Sequence, residues 1–163
     1  MDELVVRHAG VEDRGLVTDL LLRSWGSTVV VAHGVRYDAA DLPALVARRV
    51  DRVAGLLTYA IGIDGLEVVT LDAVERHAGV GTALLDAAAE MASGKGLARV
   101  WLITTNDNVD ALRFYQRRGM RIVGINPGSI DEARILKPSI PVIGDYGIEI
   151  HDEIILERRL PSR

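Results

Sequence analysis

The chain has 163 residues, 48% hydrophobic and 26% charged, with 23 acidic against 19 basic side chains and no cysteine. That length suits one domain, 1–163, with a substantial core, and the net charge of -4 lacks the basic surplus of a general nucleic-acid binder. Without cysteine there are no disulfides, no thiol catalysis and no thiolate-bound zinc, and no metal site is expected.

The opening residues MDELVVRHAG carry acidic side chains and no apolar core of signal-peptide length. Apolar runs such as Val29 to Ala32 fall far short of a membrane span, so a soluble, cytoplasmic protein is expected. Leu4 to Arg7 reads as a first strand, and Val11 to Ser24 has helical spacing through Leu16, Val17, Leu20 and Leu21. Thr28 to Tyr37 is β-rich and broken at Gly34. Leu42 to Arg48, with Pro43 in its first turn, reads as a short helix. Arg52 to Gly62 and Leu66 to Val74 read as strands joined through an Asp64-Gly65 hairpin step.

A helix from Val80 to Ser93 stops at Gly94-Lys95-Gly96. The run RVWLIT (Arg99 to Thr104) suits a strand covered on both faces, which would put Trp101 in the core; Trp25 is also read as core. A helix from Val109 to Arg118, a strand from Met120 to Ile125 and a helix from Ser129 to Leu136 follow. Pro138 and Pro141 then force an extended connection to a last strand, about Ile148 to Leu160, whose Glu153, Glu157, Arg158 and Arg159 pattern an exposed face. That long strand leaves a homodimer open. The expected class is α/β, with a mixed, mostly antiparallel sheet of about seven strands flanked by helices.

Between the strand ending near Val74 and the helix opening at Val80 lies ERHAGVG. A helix start presents unpaired N–H groups at the positive end of the helix dipole and so attracts anions. Gly79 and Gly81 carry no Cβ to hold a phosphate away, and Arg76 adds a positive charge. A Walker loop would need Lys-Ser/Thr after its last glycine, whereas Gly81 is followed by Thr82-Ala83. A dinucleotide fingerprint counted from Gly79 meets Leu84 at its third site and no acidic residue about 20 positions on. A ligand-free glycine-rich turn is the remaining plain alternative.

RHAGVG does match Arg/Gln-x-x-Gly-x-Gly/Ala, and here the chain resembles the GNAT (Gcn5-related) N-acetyltransferase superfamily. A second block, TTNDNVDALRFYQRRGM (Thr104 to Met120), resembles that superfamily's other cofactor segment, an asparagine followed by a helix ending in Phe-Tyr-x-x-x-Gly. The tail LKPSIPVIGDYGIEIHDEIILE and the earlier WGSTVVVAHG are similar to a bacterial subgroup of the superfamily for which no substrate follows from the likeness. The resemblance implies a sheet splayed between its fourth and fifth strands, with acetyl-CoA as cosubstrate lying in the splay. It implies backbone contacts to pantetheine around Leu71, Ala73 and Val74, and a diphosphate surrounded by Arg76, Gly79, Val80, Gly81 and Thr82.

Asn108 and Tyr115, seven residues apart, fall on one helix face, so one can touch the pantetheine arm while the other reaches the sulfur. Asn108 also suits a plain helix cap, and Tyr115 a core position beside Phe114. Tyr115 is assigned as proton donor to the leaving thiolate. The implied reaction is acetyl transfer to a primary amine, small or protein-borne, by direct attack in a ternary complex. Glu67 sits where the superfamily often has its general base, although a solvent-facing strand charge is an equal reading. Its face depends on whether the strand carries a bulge. Asp72 and Glu75 are weaker candidates for the base, and His33 lies on a segment suited to lining the acceptor side. Arg117, Arg118 and Arg121 suit either a cofactor phosphate or a solvated helix end. A domain that binds acyl-CoA without turnover is the alternative function.

Overall fold

The structure is a computed structural model and describes residues 2–161. It begins with β1 (Val5–His8), α1 (Arg14–Trp25) and a hairpin of β2 (Val29–Ala32) and β3 (Val35–Asp38). Then come β4 (Ala44–Arg49), β5 (Arg52–Ile61), β6 (Gly65–Ala73) and α2 (Val80–Gly94). The last elements are β7 (Arg99–Thr105), α3 (Val109–Arg117), β8 (Arg121–Asn126), α4 (Ser129–Leu136) and β9 (Glu153–Arg159). Among the described residues seven strands form one sheet in the order β1-β4-β5-β6-β7-β9-β8, and only the β6–β7 pair is parallel. The β2–β3 hairpin stands apart from it.

Each face of the sheet has its own apolar cluster. On one, α2 lays Val80, Leu84, Leu85, Ala88 and Ala92 against Leu57, Val68, Val100 and Leu156. On the other, Val17, Leu20 and Leu21 of α1 cover Val46 and Leu56. A fully buried leucine of this kind contributes roughly 1.5–3 kcal/mol. The start of α2 sits so close to β5 that a Cβ on Gly55 would come within 2.5 Å of Val80 and 2.8 Å of the Asp72 carbonyl.

Several sequence expectations are corrected. Leu42 to Arg48 is not a helix but β4, whose Ala44, Leu45, Val46 and Ala47 are all buried. A strand covered on both faces loses its period of two, and an apolar run with a proline ahead of it then imitates a short helix. The last strand starts at Glu153, because residues 148–152 are held by an Ile143–Glu149 bridge and by the His151 and Asp152 N–H groups donating to Asn106 Oδ1. Trp25 is 47% exposed and donates to Asp72 Oδ2 at 2.9 Å. Trp101 is half-buried against the His33 ring, so β7 is fully covered only on its Val100 and Leu102 side. Glu153, expected on an exposed face, is 2% exposed.

The region that positions the site is the parallel pair. Its register runs from Gly65–Arg99 to Val68–Leu102 and stops, although β6 continues to Ala73 and β7 to Thr105. The strands part there, as expected of the fourth and fifth strands of the superfamily. β6 also carries a bulge: Tyr59 pairs with Val68 but Thr58 with Thr70, leaving Val69 extra. One inserted residue reverses the alternation beyond it. Glu67, Thr70 and Asp72 therefore share the α1 face, while Val68, Leu71 and Ala73 turn toward α2.

Candidate active site

The turn after β6 is shaped by its backbone. Gly79 has φ +78°, a conformation that glycine adopts without strain, and its carbonyl accepts the first helical bond, from Ala83 N–H. The amides of Val80, Gly81 and Thr82 thus head α2 with no helical acceptor, and Gly79 supplies no side-chain cap. Gly81 has a second reason to be glycine: a Cβ there would lie 2.8 Å from the Phe114 ring. The guanidinium of Arg118 stacks 3.8 Å above that ring and donates to Thr82 Oγ1 at 2.6 Å. Of Arg117, Arg118 and Arg121, the fold thus brings Arg118 to the start of α2, whereas Arg117, at the end of α3, and Arg121, at the start of β8, are exposed. Arg76 is exposed on the turn. The Val74 amide is committed to the Ala54 carbonyl at 2.7 Å, so at Val74 only the carbonyl is open.

Asn108 caps α3, its Oδ1 accepting from Ala111 N–H at 3.2 Å. Tyr115 is half-buried, edge-on to Phe114 at 5.2 Å, and packs against the α2-side core. Burial raises its pKa, and the Asp72 carboxylate raises it further. The phenol therefore stays protonated at neutral pH, as a proton donor must. Asp72 is itself shifted upward by burial, against the bonds from Trp25 and Ser24. Glu75 is bound by Arg49 at 2.9 Å and Arg52 at 2.7 Å, which ties it to the turn between β4 and β5 and lowers its pKa.

Glu67 lies at the last paired positions before the strands part, and it is 4% exposed. The exposed-charge alternative is thereby excluded. Its carboxylate accepts the Tyr37 hydroxyl at 2.7 Å and meets His33 Nε2 at 2.9 and 3.0 Å. Both partners come from the β2–β3 hairpin, folded over the sheet face. The two-residue turn of that hairpin is His33-Gly34, with φ of +41° and +77°. Such a turn favours Asn or Gly at its first position, and a histidine there stores about 1–2 kcal/mol of backbone strain. The hairpin is tied down by its main chain too: His33 N–H donates to Glu153 Oε2 at 3.0 Å, and Lys137 Nζ to the Val29 carbonyl at 2.7 Å. Sequence reasoning missed Tyr37, and no local signal marked it, because its partner lies 30 residues away.

Comparison with known proteins agrees with this geometry. The model of the acetyltransferase (GNAT) family matches residues 17–120. The chain belongs to the GNAT acetyltransferase family. Uncharacterized protein YxbD of Bacillus subtilis (strain 168) is 36% identical to this GNAT chain over 148 residues, covering 90% of the chain and 93% of YxbD. Uncharacterized protein YdhI of the same strain is 37% identical over 145 residues, 88% and 90% of the two chains. Among solved structures, a GNAT family acetyltransferase from Elizabethkingia anophelis with acetyl-CoA bound superposes with TM-score 0.70 at 19% identity, covering 98% of this chain and all of the other. An IAA acetyltransferase from Bacillus cereus gives TM-score 0.69 at 23% identity over 97% of this chain and all of the other. These structures share the GNAT fold with the chain, and membership of the family makes it an acetyltransferase. Among the described residues no helix is long and apolar enough to cross a membrane.

Proposed function

We propose that the protein moves an acetyl group from acetyl-CoA directly to a primary amine while both substrates are bound. The reading rests on one observation: a buried carboxylate, Glu67, stands where β6 and β7 separate, while the protonated phenol of Tyr115 feels the charge of Asp72 farther along β6. Acetyl-CoA supplies the activated acetyl group. The free amides of Val80, Gly81 and Thr82, with Arg118 and Arg76 nearby, suit a diphosphate. The unpaired edge of β6 around Leu71 and Ala73, and the Val74 carbonyl, suit the pantetheine arm, with Asn108 at its side.

An alkylammonium with a pKa near 10.4 is almost wholly protonated at neutral pH and must lose a proton before it attacks. One oxygen of the Glu67 carboxylate takes that proton, and Tyr37 and His33 hold the carboxylate in place. Tyr115 Oη delivers its own proton to the departing sulfur. No side chain is acylated, in keeping with a chain that has no cysteine.

Binding linkage tests the first half of this reading. Acetyl-CoA at 100 times its Kd should stabilise the fold by about 2.7 kcal/mol, whereas ATP and NAD should leave the melting temperature unchanged. Thiol release across an amine panel tests the second half. Stabilisation by acetyl-CoA without thiol release to any amine would instead favour a domain that binds acyl-CoA and does not turn over.

A further inference from the structure

We propose that the acceptor is a small amine bearing a second positive charge, seated in the cavity between the β2–β3 turn, β8 and α4 with Glu153 in its buried wall. The inference rests on the acetyl-transfer reading and names its acceptor class. The cavity measures about 520 Å³, and its polar lining includes His33, Asn126, Glu132 and Glu153.

Glu153 carries the argument. Its side chain lines the cavity yet is 2% exposed, and among the described residues its oxygens meet only neutral donors: His33 N–H at 3.0 Å and Asn126 Nδ2 at a long 3.4 Å. A carboxylate offers about four acceptor sites, so roughly half remain free here. Among the described residues no lysine or arginine pairs with it. A buried carboxylate without a cation is costly, and a ligand cation in this cavity would remove that cost. Lys137 follows the lining residue Leu136 but commits its ammonium to the Val29 carbonyl, and Arg134 on α4 is held by Asp131 and by the carbonyls of Ile140, Pro141 and Ile150.

His33 joins the cavity to the chemistry. Its backbone N–H meets Glu153 while its Nε2 meets Glu67, so the two buried carboxylates stand one histidine residue apart. An amine whose reacting nitrogen lies beside Glu67 has Glu153 within reach of a second ammonium a few methylenes away. Val31 and Leu136 supply apolar surface for those methylenes, and exposed Glu132 adds negative potential at the rim. This is the chemistry that recognises a linear diamine or polyamine.

Diaminobutane and butylamine separate the charge from the chain. Two readouts are needed: thermal shift of the CoA-bound protein at matched amine concentration, and kcat/KM for thiol release from acetyl-CoA. Diaminobutane should give the larger shift and a kcat/KM at least about tenfold higher, the scale expected of a desolvated charge pair. The ratio between the amines should fall toward one in Glu153→Gln, which keeps an acceptor for His33 N–H, and fall part-way in Glu132→Gln, an exposed position with little bearing on folding. Equal shifts and equal kcat/KM for the two amines would overturn the inference. So would a ratio untouched by both substitutions, or a preference for peptide N-termini over either amine. A diamine-specific shift without thiol release would overturn acetyl transfer and leave the charge preference of the cavity standing.

Discussion

Replacing Glu67 by glutamine removes one negative charge and almost no volume. The amide keeps an oxygen for the Tyr37 hydroxyl, now 2.7 Å from Oε1, but it sets an N–H₂ group against His33 and holds no proton-accepting carboxylate. Weakening one charge-assisted bond costs about 1 kcal/mol, which in a chain of this size lowers the melting temperature by about 2–4 °C. The kinetic effect is far larger. At pH 7 about one alkylamine in 2,500 is neutral, so an enzyme without its base falls back on that fraction. General-base catalysis is typically worth about 10² to 10⁴, and kcat/KM at pH 7 should therefore drop by about 10² to 10³. The neutral amine grows about tenfold per pH unit, so the deficit should shrink in step and nearly vanish near pH 10. Thiol release at saturating acetyl-CoA between pH 7 and 10 measures this directly. Parallel profiles for the two proteins, or a loss below about fivefold at pH 7, would remove Glu67 from the chemistry.

Other positions give independent tests. Tyr115→Phe should leave the Kd for acetyl-CoA within about twofold while lowering kcat at least about tenfold, as expected on losing a general acid; equal losses in binding and rate would mean a packing role. Gly55→Ala forces a methyl against Val80 and the Asp72 carbonyl and should cost about 1–3 kcal/mol by overpacking, visible as a lowered urea midpoint at unchanged slope. Asp13, bonded by Arg7 and by Gly10 N–H, has its pKa lowered to about 2. A depressed carboxylate stabilises the fold above its unfolded value near 3.9, and that contribution disappears as pH falls toward 2. Asp13→Asn should accordingly flatten the acid limb of the stability profile between pH 5 and 2. Arg118→Met should weaken acetyl-CoA binding and reduce its dependence on salt, since a cation beside the head of α2 is lost; an unchanged Kd would confine Arg118 to packing on Phe114.

What could be read in one dimension was whatever is encoded locally. The Asp64-Gly65 step, the glycines around Val80 and Lys95, and the apolar spacing of the long helices each act within a few residues, and those elements lie where their signals put them. The glycine turn before α2 and the cap and helix from Asn108 to Tyr115 were legible for the same reason: each is a continuous stretch whose shape is set by its own residues. Contacts across the sheet left no such trace. β4 was mistaken for a helix because burial on both faces erased its alternation. Glu153 looked like an exposed strand charge because the hairpin that covers it lies 120 residues earlier in the chain. The bulge at Val69, which decides the face Glu67 takes, shows only in the register with β5. Glu67 acquires its environment from Tyr37 and His33 through side chains that meet only after the hairpin docks. Residue order settled which groups are present and which short segments present backbone amides at a helix start; long-range packing alone decided which carboxylates are buried, and a carboxylate does its chemistry according to how far it is removed from water.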